Sequence, residues 1–172
     1  MGFLAKTVRV LDQLNEKIGH FVAWTALAMV LMQFTVVVMR YIFGLGSIMM
    51  QESVVYLHGA LFMLGAGYTL LHEGHVRVDI FYREASPRKK AMVDLFGSLL
   101  LLMPVCILIT WYSFPYLKTS WSVLEGSRET SGIQGVYLLK STLWAFTGLM
   151  MLQGLSIAAK SFLFLIDDKG QD

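Results

Sequence analysis

A chain of 172 residues with 56% hydrophobic and 15% charged side chains and a mean hydropathy of +0.60 lies outside ordinary soluble domains, where about a quarter of residues are charged. The net charge of +2, with no basic patch interleaved with aromatics, leaves no footprint for nucleic acid. One cysteine, Cys106, excludes the paired-thiol chemistry of four-helix disulfide oxidases.

In residues 1–18, Phe3, Leu4, Val8, Leu11, Leu14 and Ile18 recur at three- and four-residue intervals, while Lys6, Arg9, Asp12, Gln13, Glu16 and Lys17 fall on the other side. This predicts an amphipathic N-terminal helix lying in the membrane interface. Periodicity alone equally allows it to continue the first span as a protruding helix. Apolar runs follow over 19–39, 51–71, 91–114 and 136–157, each able to cross about 30 Å of hydrocarbon at about 1.5 Å per helical residue. The expected fold is an all-α integral membrane protein with four transmembrane helices, a membrane domain over 19–160 and a tail over 161–172. The first run exceeds the roughly 7–15 residues of a signal-peptide core, and Arg40-Tyr41-Ile42-Phe43 has no small-residue cleavage site, so this span is expected to be retained.

Ser86-Pro87 supplies a capping oxygen before a proline and predicts the start of the third helix, which Pro104 should kink midway. Ser131-Gly132-Ile133-Gln134-Gly135 reads as a loop before the fourth helix. Gly59, Ala60, Ala66 and Gly67 in the second span, and Ser141, Ala145 and Gly148 in the fourth, mark packing seams. Ten Lys and Arg residues lie in the N-terminal segment, the second connection and the C-terminal tail, against Arg40, Lys118, Arg128 and Lys140 on the other side. The positive-inside rule therefore predicts both termini in the cytoplasm.

Glu52, Asp94 and Lys140 sit near span ends, where their charges reach water or headgroups. His58 lies deeper, and a neutral imidazole bonded to a neighbouring helix is the expectation for it. No second deep carboxylate, His or Arg completes a relay, so the chain offers no catalytic or substrate-binding set and no cofactor site. Glu52 and Arg40 are placed either to pair or, for Arg40, to meet headgroup phosphates. His72 and His75 are three apart with no third ligand in view, which is a weak metal pattern. His75, Arg77 and Asp79 alternate with Val76, Val78 and Ile80, as in an extended or shallow amphipathic segment on the cytoplasmic face.

At Arg40-Tyr41-Ile42-Phe43, Gln51-Glu52 and above all His75-Val76-Arg77-Val78-Asp79, the chain resembles the small membrane (Q, DctQ-like) subunit of tripartite ATP-independent periplasmic (TRAP) transporters. Glu125-Gly126-Ser127 and Gly135-Val136-Tyr137-Leu138-Leu139-Lys140 extend the likeness, which runs from about Leu14 to Lys160; Met49-Met50 departs from it where many relatives carry a Trp. The resemblance implies a sodium-coupled uptake system for organic acids in a bacterial inner membrane. Its partners would be a large (M type) membrane subunit, a transiently docking periplasmic (P type) binding protein and membrane lipids. The small subunit would be a scaffold, with Arg40, Glu52, His72, His75, Arg77, Asp79, Glu125 and Lys140 as structural or partner-interface candidates. Glu125, Arg128 and Glu129 are also candidates for touching the binding protein, against a plain solvated loop. Two other classes compete: a small autonomous four-helix exporter, which would need an embedded Glu absent from span one, and a haem- or quinone-binding respiratory anchor, which would need facing histidines.

Overall fold

The structure, a computed structural model, describes residues 2–76 and 82–168. Its elements are α1 (Gly2–Tyr41), α2 (Ile48–Leu71), α3 (Pro87–Phe96), a π-helical turn (Gly97–Leu102), α4 (Met103–Ser122) and α5 (Val136–Asp168). The middle three join into one rod, giving four rods long and apolar enough to cross a membrane. The protein is all-α, with no strand among the described residues.

Local chemistry sets the helix ends. Ser86 accepts a hydrogen bond from the Lys89 N–H with Pro87 in the first turn, as the sequence predicts. Ser47 caps α2 in the same way through the Met50 N–H, so that helix begins at Ile48, ahead of the apolar run. At the other end of α2 the Gly74 and Glu73 N–H groups reach the Thr69 and Leu70 carbonyls, with Glu73 in the left-handed region at φ 54°. α4 ends identically: Glu125 and Leu124 donate to Ser120 and Trp121, and Leu124 has φ 46°. Both caps turn the chain sharply out of its rod.

α1 is hydrogen-bonded without a break from residue 2 to residue 41, so the amphipathic segment runs on into the first span, one of the two arrangements that its periodicity allows. Forty residues make a rod of about 60 Å, twice the hydrocarbon thickness, which projects well past the bilayer or tilts through it. α5 likewise carries helix through most of the expected tail. At Pro104 the chain answers with a π turn, in which the Met103 N–H bonds the Ser98 carbonyl five residues back. The wide turn absorbs the shift in the hydrogen-bond ladder that a proline without N–H demands.

α5 is the hub: it packs against α1, α2, α3, the π turn and α4. α1 and α2 lie together on one flank, and the α3–α4 rod covers the other. Asp12 near the start of α1 meets Lys160 near the end of α5, which puts the two terminal segments at one end of the bundle. The 42–47 and 123–135 connections occupy the opposite end.

Candidate functional site

The buried polar residues are concentrated where α1, α2 and α5 meet at the end carrying both termini. Asn15 Nδ2 donates to Gln153 Oε1 at 2.9 Å, and the two residues are 1% and 0% exposed. Gln153 Nε2 and Ser156 Oγ both donate to Asp12 Oδ1, at 3.2 and 2.6 Å, and Lys160 Nζ lies 2.7 Å from the other Asp12 oxygen. One turn away, His72 Nε2 is 2.7 Å from Glu16 Oε2, which joins α2 to α1. The Tyr68 ring sits against both His72 and His20, with centroids 4.4 and 5.7 Å apart.

On the apolar side of residues 1–18, Leu4 and Leu14 are each 41% exposed, while Asp12, from the polar side, and Asn15 turn into the bundle with Val8 and Val22. In lipid the outer surface is the apolar one, and polar groups gain by facing protein. A signal was present: Asp12, Asn15 and Gly19 on α1, and Gln153, Ser156 and Lys160 on α5, form polar stripes at helical spacing.

The α4–α5 flank is stitched differently. Thr110 bonds Thr147 at 2.9 Å, Trp144 Nε1 donates to Ser113 at 3.0 Å, and Trp121 Nε1 donates to Ser141 at 2.8 Å. The contributions of α5 are Ser141, Trp144 and Thr147, successive members of one face. Of the small residues expected to form seams, Gly59 lies against Leu139 and Gly67 against Asn15 and Leu149, whereas Gly148 faces open space.

At the opposite end, Glu52 is not paired with Arg40. Its carboxylate accepts from Ser127 Oγ at 2.5 Å and from the Ile133 N–H at 2.6 Å, closing the 123–135 connection over the start of α2. Arg40 makes no ion pair among the described residues. Lys140 pairs with Glu125 and lies over the Tyr116 ring, 4.1 Å from its centroid. The Lys140 ammonium holds the Glu125 carboxyl below its usual range, so the pair stays ionised at neutral pH and is lost only as pH falls below that range. Glu125 is thereby turned toward α5.

Glu52→Ala should release this connection, because the Ile133 N–H and the Ser127 hydroxyl lose their acceptor at a net cost of about 1 kcal/mol. The expected result is faster proteolytic cleavage within 125–135 with helical circular dichroism unchanged. Cleavage at the wild-type rate would show that Glu52 does not hold the loop.

The remaining sequence candidates are scattered. His72 is engaged by Glu16, and His75 is exposed on the connection beyond Gly74. Among the described residues no group of three His, Cys, Asp or Glu side chains is placed to hold a metal. Arg77 and Asp79 lie outside the described residues. His58 does not bond a neighbouring helix as expected: it is exposed, and its ring stacks on Phe62 of its own helix, 6.3 Å between centroids.

Compared with known families, residues 29–163 match the model of the DctQ component of tripartite ATP-independent periplasmic transporters. No curated protein and no solved structure gave a match. The matched stretch begins within α1, after Asp12, Asn15 and Glu16, and ends near the close of α5.

Proposed function

Since this chain belongs to the DctQ family of tripartite ATP-independent periplasmic transporters, we propose that it is the small membrane subunit of a sodium-coupled uptake system for organic acids and braces the large membrane subunit without carrying the solute. The observation behind this reading is how the polar groups inside the bundle are used. Asn15 bonds Gln153, Asp12 bonds Ser156 and Lys160, and Thr110 bonds Thr147, each tying one helix to another. A carrier's polar groups must exchange solute for solvent as its two sides alternate. Groups closed on one another suit the part that stays still while a substrate-bearing part moves against it.

The asymmetry of Lys and Arg orients the brace with both termini in the cytoplasm of a bacterial inner membrane. The Glu52–Ser127–Ile133 knot then faces outward, where a periplasmic binding protein docks transiently, and the sequence candidates His75, Arg77 and Asp79 belong to the connection on the cytoplasmic side. Reconstitution tests the proposal. Vesicles with this chain and its large subunit, supplied with loaded binding protein and a sodium gradient, should accumulate the organic acid; vesicles with either membrane subunit alone should not. Uptake by this chain alone would overturn the reading.

A further inference from the structure

His58 is the eleventh of the 24 residues of α2, about 15 Å from the start of the helix and about 20 Å from its end. It therefore stands at mid-membrane depth, and it is exposed. Whatever its tautomer, an imidazole carries at least one N–H donor, and among the described residues none accepts from His58. Acyl chains offer no acceptor at that depth. The other histidines described in α1 and at the end of α2 behave otherwise, since His20 meets the Glu16 carbonyl and His72 the Glu16 carboxylate.

The neighbours of His58 form a pattern. Ile48, Gln51, Val55, His58 and Phe62 are all exposed and spaced alternately by three and four residues, with Gly65 and Thr69 continuing the series. Val55 is 55% and Phe62 69% exposed, and a side chain added at Gly65 would meet nothing within 4 Å. Alternating steps of three and four define the seam by which one helix packs along another, and a single polar residue in such a seam fixes register. α1 and α5 already cover other faces of α2. The exposed faces around Trp24 on α1, and around Ile107 and Trp111 on α4, are apolar surfaces that acyl chains can solvate. Gln33 on α1 is also exposed with no hydrogen bond among the described residues, but it stands about 12 Å from the end of its helix and its longer side chain can reach toward the headgroups, whereas the short imidazole of His58 sits deeper.

We infer that this α2 face, with His58 at its centre, is the seam on which a transmembrane helix of the large subunit docks, meeting the imidazole with a hydrogen-bonding side chain at mid-membrane depth. The identity of the occupant rests on the reading of the chain as a brace for that subunit; the seam itself rests on spacing, exposure and the unserved imidazole. Gly65 leaves room for the partner helix to approach closely.

The test co-expresses the full chain with its large subunit, with a photo-crosslinking benzoylphenylalanine at Val55 or, as control, at Trp111 on α4. Val55 should give an adduct with the large subunit and Trp111 should not. In parallel, His58→Leu should lower the large subunit retained on purification about three- to tenfold, while His58→Gln, which keeps a donor and an acceptor, should recover most of it. Circular dichroism of each purified variant checks that it is folded. Copurification without a Val55 adduct, or full retention by a folded His58→Leu chain, overturns the seam and leaves the brace standing. A Val55 adduct with a second copy of this chain overturns the occupant. No copurification from wild-type membranes overturns both readings.

Discussion

Gln153→Leu is expected to lower the thermal midpoint of the purified chain in detergent by an amount corresponding to about 1–3 kcal/mol, although leucine fits the volume and the setting is apolar. The reason is what remains behind. Asn15 would keep a buried amide whose Nδ2 has lost its acceptor, beside an Oδ1 that already has no partner. Asp12 would lose one of its three donors, leaving Ser156 and Lys160. Asn15→Leu alone should cost a similar amount by stranding Gln153 Oε1. The double variant Asn15→Leu/Gln153→Leu removes both partners, and its loss should fall well short of the sum of the singles. Additive losses, or a neutral Gln153→Leu, would show that this bond does not hold α1 to α5.

What the sequence disclosed and concealed follows from which physics is local. Hydrophobic length gave the cores of all four rods, because span length answers only to bilayer thickness. Ser86-Pro87 is readable because a cap needs only its next three residues, and Ser47 caps α2 by the same logic, ahead of the apolar run. The partners of Asp12 and Asn15 lie 138 or more residues away, and their inward aim depends on a solvent rule that reverses between water and lipid. For Glu52 the sequence offers Arg40 as a possible partner, with headgroup phosphates as the alternative for Arg40. The actual partners of Glu52, a hydroxyl and a backbone N–H in the 123–135 connection, carry no charge that a sequence could flag. Arg77 and Asp79, which carry the most specific motif, lie outside the described residues, so their role stays with the resemblance that singled them out.

Polar groups turned toward protein also tie the helices of a chain with few polar residues to one another. Interhelical hydrogen bonds in membranes average only about 0.6 kcal/mol each. Three on the α4–α5 flank and the Asp12–Asn15–Gln153–Ser156–Lys160 set on the α1–α5 flank act on the one central helix together. Displacing either flank breaks several at once. That property is what the proposed role as a brace would require.

Gly19→Val is expected to drive α1 and α2 apart. A Cβ at Gly19 would overlap the Tyr68 side chain at Cδ2, Cγ and Cβ, and the last of these, at 2.5 Å, moves only with the backbone of α2. Rotating the ring cannot make room, so the helices must separate, and overpacking of this kind costs about 1–3 kcal/mol. The separation would be felt one turn away, at the 2.7 Å contact between Glu16 and His72. Cysteines placed at those two positions should be bridged by a short bis-maleimide readily in the Gly19 background and several-fold less in the Gly19→Val chain. Gly148→Ala is the matched control: nothing lies within 4 Å of a Cβ there, and in the middle of α5 alanine should be neutral or stabilising by up to about 1 kcal/mol. Should Gly19→Val crosslink as well as its parent, α1 and α2 do not depend on this close approach, and other contacts between α1 and α2 hold the flank without it. A loss at Gly19 with none at Gly148 would establish that the glycines of this bundle matter where a neighbouring helix packs against them, and that the terminal part of α1 is clamped to α2 by contact as well as by its polar groups.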